Sequence, residues 1–232
     1  MRARVLLPEQ MDDPHLDRER HVQALRGLQR LNRWSGNAAL AWRPIRELAR
    51  EQGTDRLRVL DIATGAGDIP ISLWIAARRH GLELEIDAVD VSATALAFAA
   101  ENCQAAGAEV RLFPLDVLQD SMDQSYDLVM CSQFLHHFSA DQAEEIIRKM
   151  VCLATSRVVI VDLVRSPLNW LTVWVASHAL SRSPVVHFDG PQSIRAAYTI
   201  SEMSTIAQRA ALTKFEIRKH WPCRFVLVGA ID

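Results

Sequence analysis

From Leu57 onward, short apolar runs alternate with stretches of helical periodicity, and this alternation restricts the possible folds more than any other feature. Continuous apolar runs such as 158–161 are typical of strands that are covered on both faces. Strands that alternate with helices imply βαβ units on a parallel sheet. The strands are predicted at 57–62, 84–90, 110–115, 126–132 and 157–163, and the helices at 69–80, 92–106 and 141–153. The sequence therefore predicts an α/β fold.

The C-terminal end shows a different pattern. A helix is predicted at 201–212, followed by strands at 214–220 and 224–231 that are separated by a turn at Pro222-Cys223. Two strands joined so tightly must be antiparallel, because a parallel return needs a crossover of about a dozen residues. The sheet is therefore predicted to be mostly parallel and to finish in an antiparallel hairpin.

Two segments lie outside this alternating core. Residues 1–53 are polar and then helical, and Asp13 followed by Pro14 is typical of a helix start. Residues 165–199 lie between the fifth predicted strand and the last predicted helix. We therefore predict an N-terminal helical cap over 1–53 and a core over 54–232 that carries 165–199 as an inserted lid.

The composition argues against several classes of protein. The net charge is −2, with 26 basic and 28 acidic side chains, which gives no electrostatic reason to expect a nucleic-acid partner. The cysteines are far apart and form no C-x-x-C pair, which is typical of reduced thiols in the cytoplasm; they are Cys103, Cys131, Cys152 and Cys223. No apolar run approaches the roughly 18 residues of a membrane span, and the N-terminus lacks a signal-peptide core. We expect a cytoplasmic protein.

The most informative motif is a glycine-rich loop, Asp61-Ile-Ala-Thr-Gly-Ala-Gly-Asp68, between the first predicted strand and helix. Gly65 and Gly67 permit positive φ and let the backbone approach a ligand closely. The helix that follows offers free amide donors. Asp61 and Asp68 place negative charge where a diphosphate would tolerate it least. The loop therefore favours a ligand that carries an ammonium and a sulfonium.

Two further acidic residues follow strands. Asp90 ends the second predicted strand, 23 residues after Gly67, close to the spacing of about 20 residues at which an acidic side chain accepts from ribose hydroxyls. Asp116 follows the third predicted strand in the same way. The loop, Asp90 and Asp116 thus come in order at the carboxyl ends of three strands, where α/β sheets bind ligands.

This combination resembles class I S-adenosylmethionine-dependent methyltransferases, and the D-x-A-x-G-x-G-D form of the loop resembles their ubiquinone- and menaquinone-biosynthesis type. The resemblance implies a Rossmann-like seven-stranded sheet of order 3-2-1-4-5-7-6 and S-adenosylmethionine as the cofactor. It also implies that Asp116 and Val117 hold the adenine, and that the end of the fourth strand lies beside the methionine half. The implied cofactor-binding residues are Asp61, Ala63, Thr64, Gly65, Gly67, Asp68, Asp90, Val91, Asp116, Val117, Cys131 and Ser132.

A nicotinamide-dependent reductase would share the glycine-rich turn and the ribose-binding acid. Short-chain reductases also need a tyrosine with a lysine four positions later. Tyr126 and Tyr198 are followed at that distance by Met130 and Glu202. The reductase interpretation therefore lacks its catalytic pair.

Two histidine-containing segments are candidates for catalysis. Leu135-His136-His137 follows the fourth strand and resembles the same segment of many small-molecule methyltransferases, where His137 is either a general base or part of the pocket wall. In the predicted loop 187–195, His187 is a candidate base for a phenol, with Asp189 orienting it. The alternative for this second segment is an ordinary polar loop.

The insertion occupies the position of the substrate cover in the resembled family. Trp170 and Trp174 lie one helical turn apart and suit core packing, the wall of an acceptor pocket, or a helix lying on a membrane. Basic residues such as Arg165 and Arg182 are too few for the third alternative.

These features favour a small lipophilic or aromatic acceptor that is methylated at a phenolic oxygen. The alternatives are C-methylation of a prenylated quinone precursor and a non-catalytic protein that binds S-adenosylmethionine. No metal site is expected, because the ends of the fourth and fifth strands, 131–132 and 162–163, supply one carboxylate. A homodimer is possible.

Overall fold

A single sheet organises the chain. The computed structural model describes residues 3–13 and 15–231. The strands are β1 Arg56–Ile62, β2 Glu83–Asp90, β3 Val110–Pro114, β4 Tyr126–Ser132, β5 Ala154–Leu163, β6 Lys214–His220 and β7 Arg224–Ala230. Their order is β3-β2-β1-β4-β5-β7-β6, and β7 runs antiparallel to both of its neighbours. The predicted fold class, strand order and C-terminal hairpin are confirmed.

Helices cover both faces of the sheet. In the described part of the chain they are α1 Arg18–Trp34, α2 Asn37–Gln52, α3 Asp68–Arg79, α4 Ala93–Ala106, α5 Ala140–Leu153, α6 Pro167–Leu180, α7 Pro184–Ala196 and α8 Ile200–Arg209. On one face, Ile45 of α2 and Leu73 of α3 pack against the strands, and on the other face Ile146 of α5 and Ile206 of α8 do so. Burial on both faces explains why 158–161 is continuously apolar.

The first helix starts later than predicted. Its N-cap is Asp17, whose carboxylate accepts a hydrogen bond from the Arg20 amide at 3.0 Å. Asp13 instead accepts from the His15 amide in the preceding turn, and the proposed first helical residue, Pro14, lies outside the described residues. The prediction of Asp13 as the helix start is therefore wrong, since a second aspartate with a good capping geometry follows it.

The predicted loop at 187–195 is also wrong, because this segment belongs to helix α7. Gly190 and Pro191 suggested a turn, but Gly190 lies where α6 and α7 approach each other closely. A Cβ atom at Gly190 would lie 3.2 Å from Val173 Cγ1. Packing between the two helices therefore outweighs the local preference of Gly-Pro for a turn.

The N-terminal segment crosses the end of α7 and the loop after β4. The Val5 amide donates to the Arg195 carbonyl at 3.1 Å, and the Arg4 guanidinium donates to the carbonyl of Phe138 at 2.7 Å. These contacts place residues 9–13 above the carboxyl ends of β1 and β4. No helix in the described ranges is long and apolar enough to span a bilayer.

Candidate cofactor and acceptor site

A cavity of about 670 Å³ opens at the carboxyl ends of β1, β2 and β4. This size is typical of a site for a small molecule. Its floor comes from the glycine-rich loop and its cover from the N-terminal segment and α1. The lining residues include Glu9, Met11, Asp12, Leu25, Leu28, Asn32, Asn37, Asp61, Ala63, Thr64, Gly65, Asp68, Asp90, Val91, Ser132, Phe134, His136, His137 and Phe138.

The loop after β1 adopts the strained turn that the motif predicts. Ala63, Gly65 and Gly67 all have positive φ, at 58°, 56° and 71°. A Cβ atom on Gly67 would lie 3.1 Å from the Cβ of Ala99, so the glycine also allows α4 to pack against the loop. The Gly65 amide donates to Asp90 Oδ2 at 2.8 Å, which ties the loop to the end of β2.

Three carboxylates at the floor, Asp61, Asp68 and Asp90, form what we call the aspartate cradle. Asp61 is 2% exposed, and burial raises its pKa to about 7, with a further increase from the charges of Asp68 and Asp90. Burial also raises the pKa of Asp68 and of Asp90. Concentrated negative charge with few counter-charges suits a ligand that carries positive charge.

Several buried acceptors on the cavity wall have no hydrogen-bond partner among residues 3–13 and 15–231. They are Asp61 Oδ1, Thr64 Oγ1 and Asn37 Oδ1. Buried polar atoms are rarely left unpaired in folded proteins. The unpaired atoms therefore fit a ligand with N–H donors, such as the ammonium group of S-adenosylmethionine.

The cap is joined to the cradle by a chain of side chains. Asn32 of α1 donates to Asp68 Oδ2 at 3.1 Å and accepts a hydrogen bond from Gln133, which in turn accepts from Arg224 Nη2 at 3.1 Å. Sequence reasoning missed Asn32 and Asn37, because nothing in a helical pattern indicates that the cap folds over the loop.

A second group of ionisable side chains lies across the cavity, and we call it the polar cluster: Glu9, Asp12, His136, His137 and Asp162. His136 Nδ1 donates to Asp162 Oδ1 at 2.7 Å, and His136 Nε2 lies 3.7 Å from Glu9 Oε1. His137 Nδ1 donates to Asp12 Oδ2 at 3.0 Å. Burial acts to lower the pKa of His137, but the charges of Glu9, Asp12 and Asp162 raise it to about 9.

The sequence matches a known family over the part of the chain that builds this floor. Residues 59–171 match the model of a family described as "Methyltransferase domain". This match covers just under half of the chain and includes the glycine-rich loop. A curated relative, the release factor glutamine methyltransferase of Lactococcus lactis subsp. lactis (strain IL1403), is 35% identical over 86 residues. That match covers 37% of this chain, and the chain spans only 30% of the length of the relative.

Solved structures share the fold of this chain. Magnesium protoporphyrin IX methyltransferase from Synechocystis PCC 6803, solved with SAH, has a TM-score of 0.58 at 19% identity and covers 89% of this chain and 84% of its own. An O-methyltransferase family 2 protein from Planctomyces limnophilus DSM 3776, solved with apigenin, has a TM-score of 0.58 at 16% identity and covers 76% and 50%. The solved structures show the shared fold, and the methyltransferase family match agrees with the cofactor predicted from the loop. The quinone-biosynthesis type stays a prediction.

Some predicted cofactor residues lie outside the cavity. Asp116 follows β3, and its Oδ1 accepts from the Leu118 amide at 2.9 Å, while Val117 is buried in the core. Cys131 is also buried, which raises the pKa of its thiol well above the usual value. Gly67 faces α4, where it allows Ala99 to pack closely against the loop. None of the four is among the residues that line the cavity.

The pair His187 and Asp189 is not brought together. The Asp189 carboxylate accepts from the backbone amides of Gln10 and Met11, at 2.8 and 3.1 Å, and thereby fastens the N-terminal segment to α7. His187 Nε2 donates to the Ser181 carbonyl at 2.8 Å, and its ring stacks on His178. The structure therefore separates the two side chains and places neither in the lining of the cavity.

The predicted lid contributes little to the cavity. From 165–199, Ser193 reaches the lining, whereas Trp170 packs against Leu163 and Ile194 in a small core cluster and Trp174 is 43% exposed. The tryptophans thus do not form an acceptor wall in this structure. The N-terminal segment and α1 cover the cavity instead.

Cofactor affinity is expected to depend on pH through Asp61. A cationic ligand favours the ionised carboxylate, so the Kd for S-adenosylmethionine should rise as the pH falls through 7, by up to about tenfold per pH unit. Asp68 and Asp90, whose pKa values are also raised, act in the same direction. Calorimetry at pH 8, 7 and 6 and constant ionic strength measures this, and a constant Kd would contradict it.

Proposed function

We propose that the protein transfers a methyl group from S-adenosylmethionine to a small aromatic acceptor, at a phenolic oxygen. The observation that carries the proposal is that one cavity joins the aspartate cradle to the polar cluster. The cradle suits a cationic methyl donor. The cluster lies on the opposite wall, where it meets an acceptor.

The cradle and its neighbours supply the contacts for the cofactor. Asp61 and Asn37 offer unpaired oxygens to the ammonium group, and Asp90 offers its carboxylate to the ribose. Val91 is 69% exposed at the end of β2, where it can pack on the adenine ring. Asp116 and Val117 as adenine contacts stay predictions from the family resemblance.

The space between cradle and cluster suits an aromatic acceptor. Its apolar lining comes from Met11, Leu25 and Leu28 of the cover and from Phe134 and Phe138 after β4. The two phenylalanine rings lie edge to face, with their centroids 4.8 Å apart. Such a wall binds flat apolar rings, and aromatic pairs of this geometry add favourable contact energy.

The proposed reaction is an in-line displacement. The acceptor oxygen forms a bond to the methyl carbon while the carbon–sulfur bond breaks, and its electron pair stays on sulfur to give S-adenosylhomocysteine. The hydroxyl proton of the acceptor passes to solvent by way of the polar cluster. Alignment of the oxygen with the methyl–sulfur bond in a covered cavity supplies much of the rate.

A labelled-methyl assay tests the proposal. Purified protein is incubated with S-adenosylmethionine carrying a labelled methyl group and with matched pairs of aromatic compounds that differ only by one hydroxyl. Label is expected in the hydroxylated member of a pair, as a methyl ether identified by NMR. Label on a ring carbon would favour the C-methyltransferase alternative, and cofactor binding without product over the whole panel would favour the non-catalytic one.

A further inference from the structure

The polar cluster contains a set of atoms that suits a metal ion. Glu9, His136 and His137 each offer one ligand atom, and these atoms lie within 4.8 Å of one another. All three residues line the cavity. The ends of the fourth and fifth strands, which supply one carboxylate, gave no reason to expect a metal site, whereas Glu9 comes from the N-terminal segment.

We propose that Glu9, His136 and His137 bind one divalent transition-metal ion, with Zn²⁺ as the representative of the class. The ion keeps an open coordination position toward the cavity, which takes the oxygen of the acceptor. The binding of the acceptor oxygen to the ion rests on the proposed function, whereas the metal site itself does not.

The orientation of His136 supports this assignment. Its Nδ1 donates to the buried carboxylate of Asp162 at 2.7 Å, so Nε2 is the nitrogen that points toward Glu9. Histidines that bind metals almost always donate their other nitrogen to a carboxylate or carbonyl, which fixes the tautomer and orients the ring. Asp12 has the same relation to Nδ1 of His137, at 3.0 Å.

Glu9 is also held in place. Its side chain is 9% exposed, and its Oε1 accepts a hydrogen bond from Ser193 Oγ at 2.5 Å. The segment that carries it is fastened by Asp189, which accepts from the Gln10 and Met11 amides. A ligand from a firmly anchored segment loses little conformational entropy when it binds an ion.

The spacing fits one ion. Nitrogen and oxygen ligands lie about 2.1 Å from Zn²⁺, so two ligands of one ion are at most about 4.2 Å apart. The distance of 3.7 Å between His136 Nε2 and Glu9 Oε1 is within that limit. The widest possible separation, 4.8 Å, requires an inward movement of less than about 1 Å.

The ligand types select the class of ion. Two imidazoles and one carboxylate suit Zn²⁺, Fe²⁺ or Co²⁺, whereas Mg²⁺ and Ca²⁺ prefer oxygen ligands. Three protein ligands leave a position free for water or substrate, as in catalytic zinc sites. A phenol bound there would release its proton to solvent more easily, because the ion stabilises the phenolate. The methyl group would then pass to that oxygen as described above.

A cobalt titration tests the metal site. The full-length protein, first freed of metal with a chelator, is titrated with Co²⁺ and followed by its visible d–d absorption. One equivalent is expected to bind, without the charge-transfer band of a cysteine thiolate. Glu9→Gln and His136→Gln should each weaken binding by about 10-fold or more. His178→Gln, which removes a histidine outside the cavity, is the matched control and should leave the affinity unchanged.

Methyl transfer measured with and without chelator separates the two proposals. Product formation that needs the ion supports both. Stoichiometric binding of Co²⁺ without transfer to any phenol would uphold the metal site and overturn the proposed function. If the wild-type protein binds no more Co²⁺ than the Glu9→Gln/His136→Gln double variant, and transfer proceeds in chelator, the metal site is wrong and the proposed function stands.

Discussion

Asp61→Asn is expected to weaken the binding of S-adenosylmethionine by about 100-fold, because a buried charge-assisted hydrogen bond contributes about 1.5–3 kcal/mol. The same change should stabilise the ligand-free protein. Burial raises the pKa of Asp61 from its ordinary value of 3.8 to about 7, so the folded protein loses stability as the pH rises from 3.8 through 7 and this carboxyl ionises. Asparagine cannot ionise and avoids this loss, which at pH 8 is at most about 4 kcal/mol.

Calorimetry for the cofactor and urea unfolding at pH 8 measure the two effects. The control is Asp55→Asn, since Asp55 is exposed and lies just before β1, at the end of that strand away from the cavity. Lower stability of Asp61→Asn, together with unchanged cofactor affinity, would show that Asp61 is a structural residue. The opposite signs of the two expected effects distinguish a binding role from general damage to the fold.

Asp162→Ala is expected to lower the free energy of unfolding by about 3–5 kcal/mol, because each buried donor left without an acceptor costs about 1–3 kcal/mol. The Asp162 carboxylate is 1% exposed and accepts from His136 Nδ1 and from the amides of His136 and Leu163. Its loss leaves three buried donors unpaired and frees the His136 ring to rotate. Methyl transfer should therefore fall as well.

Urea unfolding at pH 7 measures the change in stability. Asp162→Asn is the matched variant, because it keeps the side-chain volume and one acceptor oxygen, and it should lose less stability than Asp162→Ala. A loss below about 1 kcal/mol for Asp162→Ala would mean that water replaces the carboxylate and that the pair contributes little.

The sheet could be predicted because its signals are local. The inner strands are short apolar runs, β6 alternates apolar with charged residues, and a tight turn at Pro222-Cys223 forces the last two strands to be antiparallel. The residues at the floor of the cavity could be predicted for the same reason. Gly65 and Gly67 are needed for the backbone of the loop itself, and Asp61 and Asp90 lie at strand ends whose position follows from the alternation.

The residues that cover the cavity could not be predicted in this way. The insertion 165–199 is apolar and precedes the last helix, which favoured a lid. Its Trp170 instead packs against Leu163 and Ile194, away from the cavity. Gly190-Pro191 suggested a loop, yet close packing of α6 on α7 makes it helical. In both cases long-range contacts override a local preference.

The amino-acid sequence by itself determined the α/β sheet, its antiparallel ending and the acidic loop at the cofactor end, since periodicity and turn chemistry act over a few residues. Only the tertiary structure decided which residues face that loop. Glu9, Asn32 and His136 are far apart along the chain and meet because α1 and the N-terminal segment fold over the strand ends. Long-range contacts hold them there, such as the hydrogen bonds from the Gln10 and Met11 amides to Asp189. No local sequence pattern specifies the two partners of such a contact.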